Sequence, residues 1–250
     1  MTDERMRDLA ELVLEVTEPA ESPQRLGIMA VAMPHLLTSL GLLQRCRKTV
    51  RAMCSLVDAK LEGVGAPLAR STLEDSVTGI WLMKKPKERF PMMLTSYNRH
   101  LAQLEEAKPG VFDTQRELLD SMLTSLSLSP TDKGDLPPLE QRMDELVGEY
   151  WEYRVLSLRT HPSFEASLVP FYADEHTKMI GMAPEDAIDA LASDYLFVCC
   201  NWTLALAVAY QTATNDEGPS GKLLAACMAL HRFDSDSDAP LLEQLFARDE

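Results

Sequence analysis

Arg154, Ser157 and His161 are the residues of this chain whose types and spacing could do chemistry. They lie in the segment YWEYRVLSLRTHPSF, residues 150–164. On a helix, positions three, four and seven apart share one face, so the three side chains would project together. A guanidinium can fork onto phosphate oxygens, and an imidazole can move a proton near neutral pH. A hydroxyl adds one more hydrogen bond. The same trio can instead hold a buried corner together, with Arg154 against Glu74 or Asp75 upstream and His161 on a backbone carbonyl.

Other chemistries are excluded by their spacing. Diiron bundles need Glu-x-x-His, and no histidine here has a glutamate three residues before it. His-Glu-x-x-His is missing too. Asp234, Asp236 and Asp238 resemble the start of a calcium loop, but Ala239 stands where that loop needs glycine and Leu245 where it needs glutamate. The chain has no Walker loop, Gly-x-Ser-x-Gly elbow or Gly-x-Gly-x-x-Gly turn. The expectation is a protein with no metal and no cofactor. His35, His100, His176 and His231 have no partner at useful spacing and read as surface or helix-end residues.

The elements that must position these residues are helices. Glycine is scarce and Leu, Ala, Glu and Met are plentiful, which favours helix over sheet. Residues 139–160 contain no proline and one glycine, predicting a single helix. Pro162 biases His161 away from helical dihedrals, so that helix should end near Thr160. Residues 2–18 read as an amphipathic helix, with a short one following over 25–32. From Pro34 to about residue 62, Leu36, Leu43, Val50 and Val57 recur every seven residues, with Leu40, Cys54 and Leu61 on a second row. Arg47 interrupts that row, as expected where a seam meets solvent or a carboxylate.

Helices are also expected over 68–84, 90–107 with Pro91 in its first turn, 112–126, 184–212, 219–231 and 240–247. Arg70 and Glu74 are spaced to pair along one helix. The basic run Lys84, Lys85, Lys87 and Arg89 should close that helix, either as a solvated end or as the lining of a polyanion site. Residues 127–138 are the clearest loop, and 162–184 form a long connection tacked down by apolar residues. The predicted fold is all-α, an up-and-down bundle of about seven to nine helices. Residues 1–66 pack on a core of 67–214, and 215–250 form an extension, together one domain.

Bulk properties narrow the function. The net charge of −15 disfavours broad attraction to nucleic acid or anionic membrane. Cys46, Cys54, Cys199, Cys200 and Cys227 have no Cys-x-x-Cys spacing and read as core residues in a reducing compartment. Residues 196–210 are too short to cross a bilayer and read as a buried helix. A cytoplasmic protein without a membrane role is expected.

Arg154 and His161, set as YRVLSLRTHPS, resemble the Rx4-6H motif of the HEPN superfamily. An upstream LARSTLEDSVTGIWL helix followed by a Y-R-x-L-S-x-x-x-H segment is similar to HEPN-like bacterial families, over about residues 68–210. The resemblance implies a dimeric helical bundle and a metal-independent endoribonuclease in defence or stress. In that reading the catalytic residues are Arg154, His161 and Ser157. Tyr153, Arg159, Glu74 and Arg70 belong to the RNA-binding set, with Tyr153 stacking on a base and Arg159 engaging a neighbouring phosphate. Val155 stands where active members often carry a polar residue. With the acidic charge, it keeps open an alternative: a non-catalytic module that binds a protein partner and uses Arg154 and His161 structurally.

Overall fold

The computed structural model describes residues 3–19, 21–59, 61, 64–125, 134–148, 151–160, 171–173, 180–182, 192–215 and 217–233. These form an all-α bundle with one small β-ribbon. The helices are α1 (Asp3–Val16), α2 (Pro23–Ala32), α3 (Pro34–Asp58), α4 (Ala66–Lys84) and α5 (Pro86–Ala107), then α6 (Asp113–Ser125), α7 (Leu139–Val147), α8 (Trp151–Thr160), α9 (Ala192–Thr214) and α10 (Gly221–Phe233).

The apolar helix α9 is the centre. Cys199, Cys200, Leu204, Ala205 and Leu206 are fully enclosed. It packs most extensively against α4 and α3, and more lightly against α1 and α10. A helix that is apolar on nearly every side is stable only when neighbours cover all of it. Asp194–Thr214 is also long and apolar enough to cross a membrane; here it is the interior helix of the bundle. One hydrophobic cluster runs from Met6 of α1 to Leu230 of α10.

The seven-residue rows of α3 are buried over its first four turns, while Cys54 and Val57 near its end are half-buried. Leu36, Leu43 and Val50 are buried, as is Leu40. Arg47, the interruption, is 2 % exposed. It meets the Glu18 carboxylate and donates to the Leu14 carbonyl at 3.0 Å. Pro34 takes the first position of α3, and Ser22 caps α2 by accepting from the Arg25 N–H.

Several boundaries differ from the sequence expectation. The single helix over 139–160 is two helices. Gly148 ends α7 at φ 67°, a left-handed cap whose N–H bonds the Asp144 carbonyl, and only glycine enters that region freely. Helix α5 begins at Pro86, so Pro91 lies inside it rather than in the first turn. Only Lys84 of the basic run lies in α4; Lys87 and Arg89 belong to α5, and Arg89 is buried. Leu61 is exposed rather than part of a seam. Within the connection read as structureless, β1 (Phe171–Ala173) pairs antiparallel with β2 (Ile180–Met182), Tyr172 opposite Gly181. Thr2, residues 183–191, the Asp234–Asp238 run and the helix expected over 240–247 lie outside the described residues.

Gly79 permits the closest approach of α4 to α9. A Cβ there would fall 2.6 Å from Leu206 Cδ1 and 3.6 Å from Leu42 Cδ1. Gly79→Val should therefore overpack the three-helix centre, at a cost of about 1–3 kcal/mol. Calorimetry is expected to show a lower Tm with unchanged helix content below the transition.

Candidate functional site

Helix α4 positions the candidate residues. Its buried side meets α3 and α9, and α7 and α8 lie along the rest of it. On this second side, Arg70 Nε donates to Glu74 Oε1 at 2.9 Å, the pairing expected from their spacing. The same guanidinium reaches Tyr153 Oη of α8 at 2.6 Å and lies 4.9 Å from the centre of the tyrosine ring. Burial lowers the Arg70 pKa, but Glu74 and Tyr153 outweigh it and hold the group above its ordinary value. Three sequence-predicted residues from helices 83 positions apart thus meet in one cluster.

Helix α8 divides the remaining candidates. Leu156 is buried against the core, while Arg154 and Val155 are exposed. Ser157 is half-buried, and its Oγ is sealed from solvent with no hydrogen-bond partner among the described residues. A buried hydroxyl left in that state costs free energy unless something else satisfies it. Arg159 lies in α8, but its side chain is outside the described residues, as is all of His161. Glu74 pairs with Arg70, and Asp75 with Arg45 at 3.1 Å.

Residues not anticipated from the sequence complete the cluster. Arg142 of α7, 8 % exposed, donates to Thr78 Oγ1 and to the Pro137 carbonyl at 3.1 Å. Its pKa is lowered by burial and partly restored by Glu74 and Tyr153. The signal was present: Leu139, Arg142, Met143 and Leu146 share one helical face, so the arginine sits in an apolar row. Next along α4, Trp81 Nε1 donates to Glu145 Oε2 at 2.7 Å. Arg89 donates to that same oxygen at 2.7 Å and lies 4.4 Å from the centre of the Trp81 ring. On the other flank, Trp202 Nε1 donates to Glu152 Oε2 at 2.9 Å. Among the described residues no group of three His, Cys, Asp or Glu side chains could hold a metal ion.

No family model, curated protein or solved structure matches this chain. The geometry therefore carries the functional reading by itself. Its content is a cation, a phenol and a carboxylate locked together, with Arg154 exposed on the helix that carries the phenol.

Two measurements test this polar scaffold. Glu145→Ala removes the acceptor shared by Trp81 and Arg89, which should cost about 1–3 kcal/mol. Glu145→Gln should recover much of the loss in chemical denaturation. Asp75 gives a pH signature. Burial pushes its carboxyl up to about 6, Arg45 pulls it back and Glu74 pushes it further. The folded state then holds this proton more tightly than the unfolded chain, whose aspartate titrates near about 4. This contribution to stability therefore grows as pH falls through that window and is lost as pH rises through it. Asp75→Asn is expected to raise Tm at pH 7.5 and to flatten its dependence between pH 6 and 4.

Proposed function

We propose that this chain is a HEPN-like helical protein that cleaves RNA without a metal, using the tip of α8. What supports the reading most is the meeting of α4 and α8. The Arg70–Glu74–Tyr153 cluster joins α8 to α4, and Arg154 on α8 has an exposed side chain. His161 follows in the chain directly after the last residue of α8.

The chemistry needs only these groups and the substrate. The RNA 2′-oxygen bonds to the adjacent phosphorus while the bond from phosphorus to the 5′-oxygen breaks. His161 takes the proton from the 2′-hydroxyl or returns one to the leaving oxygen. Arg154 stabilises charge on the non-bridging oxygens through a forked pair of donors. Ser157 Oγ is closed off from solvent, so it does not reach the phosphate and takes no part in the step. Arg70 and Glu74 hold Tyr153, and Arg159 contributes to a neighbouring phosphate. The second HEPN-type motif would come from another copy of the chain, so the active form is a homodimer.

A second reading has its own observation. Arg70 bonds Glu74 and Tyr153, Arg142 bonds Thr78, and Thr78 Oγ1 donates to the Glu74 carbonyl at 2.6 Å, as in a structural joint between helices. In that case the chain is a non-catalytic interaction module with a protein partner, and α8 is part of its frame.

The test incubates structured and single-stranded RNA with the protein in EDTA. The nuclease reading expects cleavage to 2′,3′-cyclic phosphate ends. His161→Ala and Arg154→Ala should each lower the rate by about a hundredfold or more, a usual contribution of such groups, with Tm within a few degrees of the parent. Absence of cleavage, or cleavage unchanged in His161→Ala, removes this reading. Variants that lose Tm while no RNA is cut by any of the proteins support the structural joint.

A further inference from the structure

Helix α10 is apolar on both of its sides. Residues 223–230, Leu-Leu-Ala-Ala-Cys-Met-Ala-Leu, carry no polar side chain. A helix of that composition is stable where neighbours cover all of it. Helices α1 and α9 cover one side, burying Leu223, Ala226, Cys227 and Leu230. The other side is open. Leu224 is 47 % exposed and Met228 60 % exposed, with Ala225 exposed between them. Positions four apart adjoin on a helix, so these residues make one continuous stripe.

The chain beyond Phe233 lies outside the described residues, and its sequence supplies a complement. Pro240 suits a first helical position, the place Pro23, Pro34 and Pro86 take in α2, α3 and α5. Leu241, Leu242, Leu245 and Phe246 follow at helical spacing on one side, with Glu243, Gln244 and Arg248 on the other. Their separation of four residues is that of Leu224 and Met228. Residues 234–239, Asp-Ser-Asp-Ser-Asp-Ala, join the two segments as a charged tether. Its six residues span at most about 20 Å. Met228 lies about 8 Å back along α10 from Phe233, and Leu224 about 14 Å. A chain that turns back antiparallel therefore reaches the whole stripe.

Size decides between occupants. Each partner in a stable protein complex buries about 800 Å², and this stripe is a small part of such a patch. A second copy of the chain finds too little here to hold it. A helix as short as 240–247 does not form alone in water. A short tether, however, holds it at a roughly millimolar effective concentration, so contact with a few side chains suffices. We propose that residues 240–247 fold back as an amphipathic helix on α10, with Leu241, Leu242, Leu245 and Phe246 against Leu224 and Met228.

Amide hydrogen exchange on the full-length protein tests this contact. Amides of residues 241–246 are expected to exchange at least about tenfold more slowly in the parent than in Met228→Asp. Leu245→Asp, which alters only the tail, should release the same amides and leave those of α9 as slow as before. Protection of 241–246 should also stay constant over about a hundredfold range of protein concentration, since the contact is made within one chain. Fast exchange of 241–246 in the parent overturns the proposal. So does protection that survives both aspartate substitutions, which would place the tail elsewhere. Protection that grows with concentration overturns it too, and assigns the stripe to a second copy. RNA cleavage is not read here, so this inference and the nuclease reading stand or fall separately.

Discussion

Enclosure of α9 is the constraint on which the rest of this structure depends. Its apolar residues point in every direction, so no single partner helix can cover them. Helices α3 and α4 take the largest shares, and α1 and α10 close the remainder. Close contact also requires small groups, supplied by Gly79 on α4 and by Ala205 and Ala207 on α9. Polar groups caught in this centre are satisfied locally. Ser39 donates to the Gly79 carbonyl at 3.2 Å, and Thr203 to the Cys199 carbonyl at 2.6 Å.

With one side of α4 committed to that centre, α7 and α8 attach to the other by a different kind of contact. Their joints are directional: Trp81 of α4 donates to Glu145 of α7, Arg142 of α7 to the Thr78 hydroxyl of α4, and Arg70 of α4 to the Tyr153 phenol of α8. Apolar burial fixes that two helices touch, whereas bonds of this sort fix their register as well. The short α8 is thereby held at a defined rotation, with Leu156 inward and Arg154 outward. Precise placement of a few side chains is what chemistry on a phosphate would require.

Features with local causes were legible in the sequence. The Leu36, Leu43 and Val50 row of α3, the Arg70–Glu74 pair and the central place of α9 all follow from spacing within one helix or from its composition. Features with distant causes were not. Trp81 and Glu145 are 64 residues apart, and Tyr153 is 83 from Arg70, so no window along the chain displays those pairs. The break at Gly148 was overlooked because a lone glycine is tolerated inside many helices, and its left-handed dihedral becomes evident only in three dimensions. The β-ribbon escaped because strands of three residues are too short to show an alternating pattern. Of the candidate residues, Arg70, Glu74 and Tyr153 lie in contact, while Arg142 was passed over despite sitting in an apolar row.

The cysteines have a consequence of their own. Cys46, Cys199 and Cys200 are entirely enclosed where α3, α4 and α9 meet. Burial pushes the Cys46 and Cys199 thiols up to about 12, and Cys200 well above its ordinary value too. Since only the thiolate reacts, these sulfurs are silent toward alkylating reagents while the helices stay closed. Each reports chemically on the moment its surroundings part, so the interior of this bundle carries its own clock for breathing motions.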